Sequence, residues 1–149
     1  MSEKTKKPSD DKFARGMRTA TVADLPLLVD MGAAFHEAAS LPFDYDPESS
    51  AAAMTGMIEG GGVFVTERGA IGGVLGTAWS NPAWVYACEL FWWAEDGQGR
   101  ALLRRFEEWA RESGAGEVRM TSLYHLDRAG KILERLGYTA REISYGKNL

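Results

Sequence analysis

Glu89 is the only charged residue in the run Val85-Tyr86-Ala87-Cys88-Glu89-Leu90-Phe91-Trp92-Trp93-Ala94. If the run is a strand, Val85, Ala87, Phe91 and Trp93 share one face with Glu89, because side chains alternate along a strand. Apolar neighbours desolvate a carboxyl and raise its pKa, which makes it a useful base near neutral pH. The alternatives are a bulge that turns Glu89 to solvent, or a satisfied structural carboxylate. Glu95-Asp96-Gly97-Gln98-Gly99 follows and opens a helix. Strand, Gly-Gln-Gly, helix can hold a phosphate: glycines let the backbone approach, free N–H groups point outward and the helix dipole favours an anion. Arg100 in the first turn adds positive charge. A tight turn with nothing bound matches the same residues.

The other reactive side chains form no recognisable group. His36 and His125 lie far apart with no Cys, Asp or Glu at ligand spacing, so no metal site is expected. Tyr124-His125 follows a strand ending near Ser122, where parallel sheets tend to place active-site groups, although a surface loop reads the same way. No G-x-S-x-G elbow occurs and Cys88 has no Cys/His context, which argues against nucleophilic catalysis. Trp79, Trp84, Trp92, Trp93 and Trp109 read as core or cleft-lining groups.

The elements that would position these residues are legible from periodicity and punctuation. Met17 to Val22 reads as a short strand, and Asp24, with Pro26 in the first turn, opens a helix to about Ala39. A second helix starts at Asp46-Pro47-Glu48 and stops at Gly60-Gly61-Gly62. Val63 to Thr66 and Ile71 to Trp79 read as a hairpin around Glu67 to Ala70, and Asn81-Pro82 turns into the strand Val85 to Ala94. Arg100 to Ser113 carries the stripe Leu102, Leu103, Phe106, Trp109, Ala110 of an amphipathic helix. A strand (Glu117 to Ser122), a helix (Asp127 to Leu136) and a final strand pair (Tyr138 to Tyr145) give the order βααβββαβαβ.

Composition bounds the rest. The chain has 149 residues and a net charge of −4, an ordinary globular composition for one α/β (α+β) domain over 17–149. Residues 1–16 carry charge without an apolar core and read as a disordered extension, not a secretory signal. One cysteine excludes an intramolecular disulfide and fits a reducing, cytoplasmic setting. No apolar run approaches the ~20 residues of a membrane span. Negative charge without interleaved aromatic and basic residues argues against nucleic acid as a partner.

The order of elements, with Arg18-Thr19-Ala20-Thr21-Val22-Ala23-Asp24, Glu89-Leu90-Phe91-Trp92-Trp93, Gly97-Gln98-Gly99-Arg100-Ala101-Leu102-Leu103 and Glu134-Arg135-Leu136-Gly137-Tyr138, resembles the GNAT superfamily of acetyl-CoA-dependent N-acetyltransferases over about 17–149. The resemblance implies a mixed sheet, flanked by helices, that splays between the strands ending near Ala94 and Ser122. It implies acetyl-CoA as co-substrate, held along Trp92, Trp93 and Ala94 with its pyrophosphate on Gly97, Gln98, Gly99, Arg100 and Ala101. It also implies direct attack by a primary amine, on a small molecule, peptide or protein, with Glu89 as base. Homodimers are common in the superfamily.

Two departures qualify it. Ala94 stands where the phosphate signature has Gln or Arg, and the stretch from Trp93 to Gly97 is short. Leu133 stands where a Tyr commonly protonates the leaving thiolate, which leaves Tyr124 or water for that role. The rival expectation is therefore a catalytically impaired acyl-CoA-binding or interaction module on the same fold. The acids Asp44, Asp46 and Glu48 sit in the loop expected to shape the acceptor side, where they would steer a cationic amine or be merely solvated.

Overall fold

Two long antiparallel strands organise the sheet. The computed structural model describes residues 16–125 and 128–149; the expected extension, apart from Gly16, and the expected helix start at Asp127 lie outside the described residues. β1 (Arg18–Thr19), β2 (Val63–Val65), β3 (Gly69–Ala78), β4 (Asn81–Ala94) and β5 (Glu117–Arg119) form one sheet in that order. All neighbours are antiparallel except β4 and β5, which are parallel. The helices are α1 (Leu25–Ala39), α2 (Pro47–Glu59), α3 (Gly99–Glu112) and α4 (Arg128–Arg135).

The two faces of the sheet carry separate cores. On one, Phe64, Ile71 and Ala87 pack with Leu102, Leu103, Phe106, Trp109 and Ala110 of α3 and Leu133 of α4. On the other, Val63, Val65 and Ala70 pack with Leu28 of α1 and Met54 and Met57 of α2. This division is the period-2 alternation of strands meeting the apolar stripes of helices. Gly61, at φ +77, closes α2: Gly61 N–H donates to the Ile58 carbonyl and Gly62 N–H to that of Met57, the left-handed glycine cap that satisfies a helix's last carbonyls.

Several expected boundaries shift for identifiable reasons. Asp24 does not cap α1; Arg18 donates to both its oxygens at 2.6 and 2.7 Å and Thr21 N–H donates at 2.8 Å. The Arg18 guanidinium is the main reason the Asp24 carboxyl falls to about 2. Because this pKa is depressed, its stabilisation is present above the unfolded value of about 3.9 and is lost as pH falls towards about 2. Urea melts are therefore expected to weaken between about pH 4 and pH 2, and to weaken less in Asp24→Asn.

The strand expected from Val85 begins at Asn81, and the turn is Trp79–Ser80. Pairing jumps from Thr77↔Val85 to Ala78↔Asn81, so Pro82, which has no N–H to donate, sits in the unpaired stretch. The strand pair expected over Tyr138 to Tyr145 is absent: residues 138–149 have no regular secondary structure, and Ile143 and Tyr145 are exposed. Period-2 alternation does not make a strand without a backbone partner.

A bulge in β4 matters most for the site. Gly73 pairs with Glu89 and Gly72 with Phe91, leaving Leu90 as the extra residue, which reverses the facing of everything after it. Gly73 is needed there, since a Cβ would overlap the Cys88 carbonyl oxygen and stand 2.8 Å from the Phe106 ring. Gly73→Ala is expected to cost about 2 kcal/mol or more, because one of the obstructing atoms is backbone and cannot rotate away. The check is a fall in denaturation midpoint at unchanged m.

Candidate active site

The bulge corrects the expected arrangement around Glu89. Val85 and Ala87 keep the expected alternation with it, but Phe91 packs with the α1/α2 core and the Trp93 ring meets Phe35 of α1 edge-on, at 6.4 Å between centroids. Glu89 itself is not turned to solvent; it is 4% exposed. Phe106 of α3 covers its partner Gly73.

Glu89 also stands where the sheet parts. β4 and β5 pair only over Tyr86–Cys88 and Glu117–Arg119, and beyond that point the edge of β4 from Glu89 to Ala94 has no strand partner on the β5 side among the described residues. Across the parting, Thr121 donates its backbone N–H (3.0 Å) and its hydroxyl (2.9 Å) to Glu89 Oε2. Burial pushes the Glu89 carboxyl above the ordinary glutamate range, and the two Thr121 hydrogen bonds pull it partly back. Burial, with the Glu89 charge adding to it, raises the adjacent Cys88 thiol. Thr121 is a site residue that sequence reading missed. The available signal was its place near the end of the strand expected over Glu117 to Ser122, of which the structure keeps Glu117–Arg119 as β5.

The other expected catalytic residue, Tyr124, lies in the turn three residues past Thr121 and is 91% exposed. No hydrogen bond joins it to Glu89 among the described residues. Leu133 is buried in the α3-side core. His36 is half-buried between the rings of Phe43 and Tyr45, and His125 is exposed. No group of three or more His, Cys, Asp or Glu that could hold a metal occurs among the described residues, and no helix among them is long and apolar enough to cross a membrane.

The β4–α3 connection has the form of an anion cradle. Gly97 adopts φ +73 with nothing within 4 Å of where a Cβ would be. The N–H groups of Gly99, Arg100 and Ala101 begin α3 and have no intrahelical acceptor. Gln98 N–H is occupied, donating to Asp96 Oδ1 at 3.1 Å. Trp92 Nε1 donates to the Gly99 carbonyl at 2.9 Å, tying β4 to the first residue of α3. The Trp92 ring packs against the α3-side core and the Trp93 ring lies on the opposite face against Phe35, which leaves the backbone of this stretch, with that of Ala94, along the open edge.

Both acids of this connection are drawn aside. Asp96 accepts from the Thr66 hydroxyl (2.6 Å) and Arg68 N–H (3.1 Å), and Glu95 pairs with the Arg68 guanidinium at 2.9 Å. Burial works to raise the Asp96 carboxyl, but its hydrogen bonds from Thr66, Arg68 and Gln98 outweigh that and hold it below the usual range. An acid at a phosphate cradle repels the ligand; here Oδ2 of Asp96 faces the β2–β3 turn while Oδ1 stays on Gln98 N–H, so the charge is held by hydrogen bonds and is not removed.

A strand bulged at a buried carboxylate, a parallel neighbour that leaves it after three residues, and a glycine-led helix start at its end together describe a known architecture. The chain has the GNAT fold. No protein-family model and no curated protein matches it, but solved structures do. It is similar to a predicted acetyltransferase from Clostridium acetobutylicum, solved with acetyl-CoA, at 11% identity and a TM-score of 0.71, over 89% of this chain and 94% of that one. A GCN5-related N-acetyltransferase from Ralstonia eutropha JMP134 superposes with a TM-score of 0.63 at 19% identity, over 88% and 97%. A transcriptional regulator from Bacillus halodurans C-125 reaches 0.69 at 19%, over 89% and 98%. At these identities the likeness is one of fold, and function must be argued from the site. Relative to the order expected from sequence, the GNAT fold of this chain ends at α4.

Proposed function

We infer that the protein transfers an acetyl group from acetyl-CoA to an amine, with Glu89 as the base. The observation that carries this reading is the Glu89 carboxylate, buried where β4 and β5 part and beside an unpartnered strand edge. The residues present fit the co-substrate. The first N–H groups of α3 with Arg100 would receive the pyrophosphate, open space at Gly97 admits it, and the backbone of Trp92, Trp93 and Ala94 offers edge groups to the pantetheine amides.

When bound, acetyl-CoA supplies a thioester carbon open to attack by an amine. Glu89 takes the proton that the acceptor nitrogen must lose, directly or through a water, and releases it to solvent. Backbone N–H groups on the open edge of β4 polarise the carbonyl oxygen. Tyr124 returns a proton to the thiolate, although thiolates leave well enough without one. The acceptor is a primary amine, on a small molecule or a peptide. Asp44 and Glu48 favour a cation by steering. Asp46 adds to the same field: its hydrogen bonds from the Ser49 hydroxyl, Ser49 N–H and Glu48 N–H, as the cap of α2, keep its carboxyl below the usual range and ionised. The protein works in the cytoplasm, alone or as a homodimer.

A second reading, an acyl-CoA-binding module without turnover, is favoured by the buried Leu133, which cannot donate a proton. Calorimetric titration with acetyl-CoA followed by thiol release over an amine panel separates the two. Binding with turnover is expected; binding without turnover supports the module, and no binding sinks both readings.

A further inference from the structure

We propose that Thr121 is the positioning residue of the active site: by donating both its backbone N–H and its hydroxyl to Oε2 of Glu89, it fixes the carboxylate across the parting of β4 and β5 and leaves Oε1 to take the proton. The inference rests on the reading of Glu89 as the base. Its ground is geometric. Ladder pairing between the two strands ends at Cys88 and Arg119. One residue further on along β4 and two further on past β5, the side chain of Glu89 meets Thr121 at 3.0 and 2.9 Å. A side-chain bond thus replaces the missing ladder bond, and the strands can diverge while the carboxylate keeps one orientation. Oε1 accepts no hydrogen bond among the described residues.

Among the described residues nothing else on the surrounding elements holds Glu89. On β4 its neighbour Cys88 has its thiol 3.6 Å from the Glu89 carbonyl. On β5, Arg119 stacks over Tyr86 and pairs with Glu117. α3 turns Leu102, Leu103, Phe106 and Ala110 to the sheet, its half-buried Arg105 lies over Phe64, and α4 contributes Leu133. Among the described residues the buried carboxylate therefore pairs with no cation, and Thr121 supplies both of its hydrogen bonds. Hydrogen bonds to the ionised form favour it, so Thr121 also sets the pH at which the base becomes available.

The test uses the full chain with Thr121→Val, Thr121→Ser and Glu89→Gln. Thr121→Val keeps the shape and the backbone N–H but loses the hydroxyl. It is expected to move the Glu89 titration, read by carbon-13 NMR of the carboxyl, and the acidic limb of kcat/KM upward by about one unit. Turnover near neutral pH should fall about tenfold with the acetyl-CoA KM unchanged, and Thr121→Ser should restore both. In wild type, the Thr121 amide proton should titrate with the same midpoint as the Glu89 carboxyl, a measurement that needs no variant to fold. Independent titration of the Thr121 amide, or an unmoved limb in Thr121→Val while Glu89→Gln is inactive, overturns the positioning role alone. Wild-type turnover in Glu89→Gln overturns the base reading beneath it.

Discussion

Glu89→Gln is expected to lower kcat/KM for acetyl transfer by roughly 10²- to 10⁴-fold, the usual contribution of a positioned general base. Gln keeps an oxygen that can accept from Thr121, so the hydrogen bonds at 3.0 and 2.9 Å have a substitute acceptor and the fold should persist. Only the ability to take a proton is removed. Stability is expected to move the other way. Burial raises the folded pKa of Glu89 above its unfolded value, so its ionisation opposes folding as pH rises through the folded pKa. Below the unfolded value the group is protonated in both states and this penalty vanishes. The variant should therefore be at least as stable as wild type at pH 8, with the difference closing towards pH 4. Loss of turnover together with gained or equal stability is the pattern of a group kept for function at a cost to the fold. The pH profile has a matching sign: kcat/KM should climb as Glu89 ionises, with its acidic limb above the ordinary glutamate range.

Reversing the charge at the start of α3 should have the second large effect. Arg100→Glu places an acid beside the free N–H groups of Gly99 and Ala101. An exposed charge a few ångströms from a pyrophosphate is worth about 1 kcal/mol, so replacing attraction by repulsion should weaken acetyl-CoA binding by roughly 10- to 30-fold. The loss should shrink in 1 M salt, where screening cuts interactions beyond about 3 Å. Acetyl-pantetheine, which lacks the phosphates, serves as the control and should bind both proteins alike. Equal weakening of both ligands would show that the substitution had damaged the site generally. Undiminished acetyl-CoA affinity would remove the phosphate from this helix start.

What could be read in advance was what the chain encodes locally. The stripe Leu102, Leu103, Phe106, Trp109, Ala110 fixed α3 to within a residue, and Asp46-Pro47 marked the start of α2 because capping and proline geometry act over four residues. Glu89 stood out because a single charge in an apolar strand has to be accounted for. The bulge at Leu90 did not show, since it depends on Gly72 and Gly73 of the neighbouring strand, and with it went the facing of Phe91 and Trp93. Thr121 lies 32 residues from Glu89, and Thr66 30 residues from Asp96, so neither bond leaves a periodic trace. That second bond turns one oxygen of Asp96, an acid at the mouth of the phosphate cradle, to the β2–β3 turn. The final strand was misread from alternation alone: nothing in the sequence of residues 138–149 says whether a backbone partner exists.

The central claim is acetyl transfer to an amine at the parting of β4 and β5. It is tested most directly by incubating the full chain with acetyl-CoA and a panel of primary amines, following free thiol, and identifying products by mass. Release of one thiol for each N-acetylated amine, abolished or reduced at least a hundredfold in Glu89→Gln, is the predicted result. Acetyl-CoA that binds but yields no acetylated amine across the panel, or product formed equally well by Glu89→Gln, would contradict it.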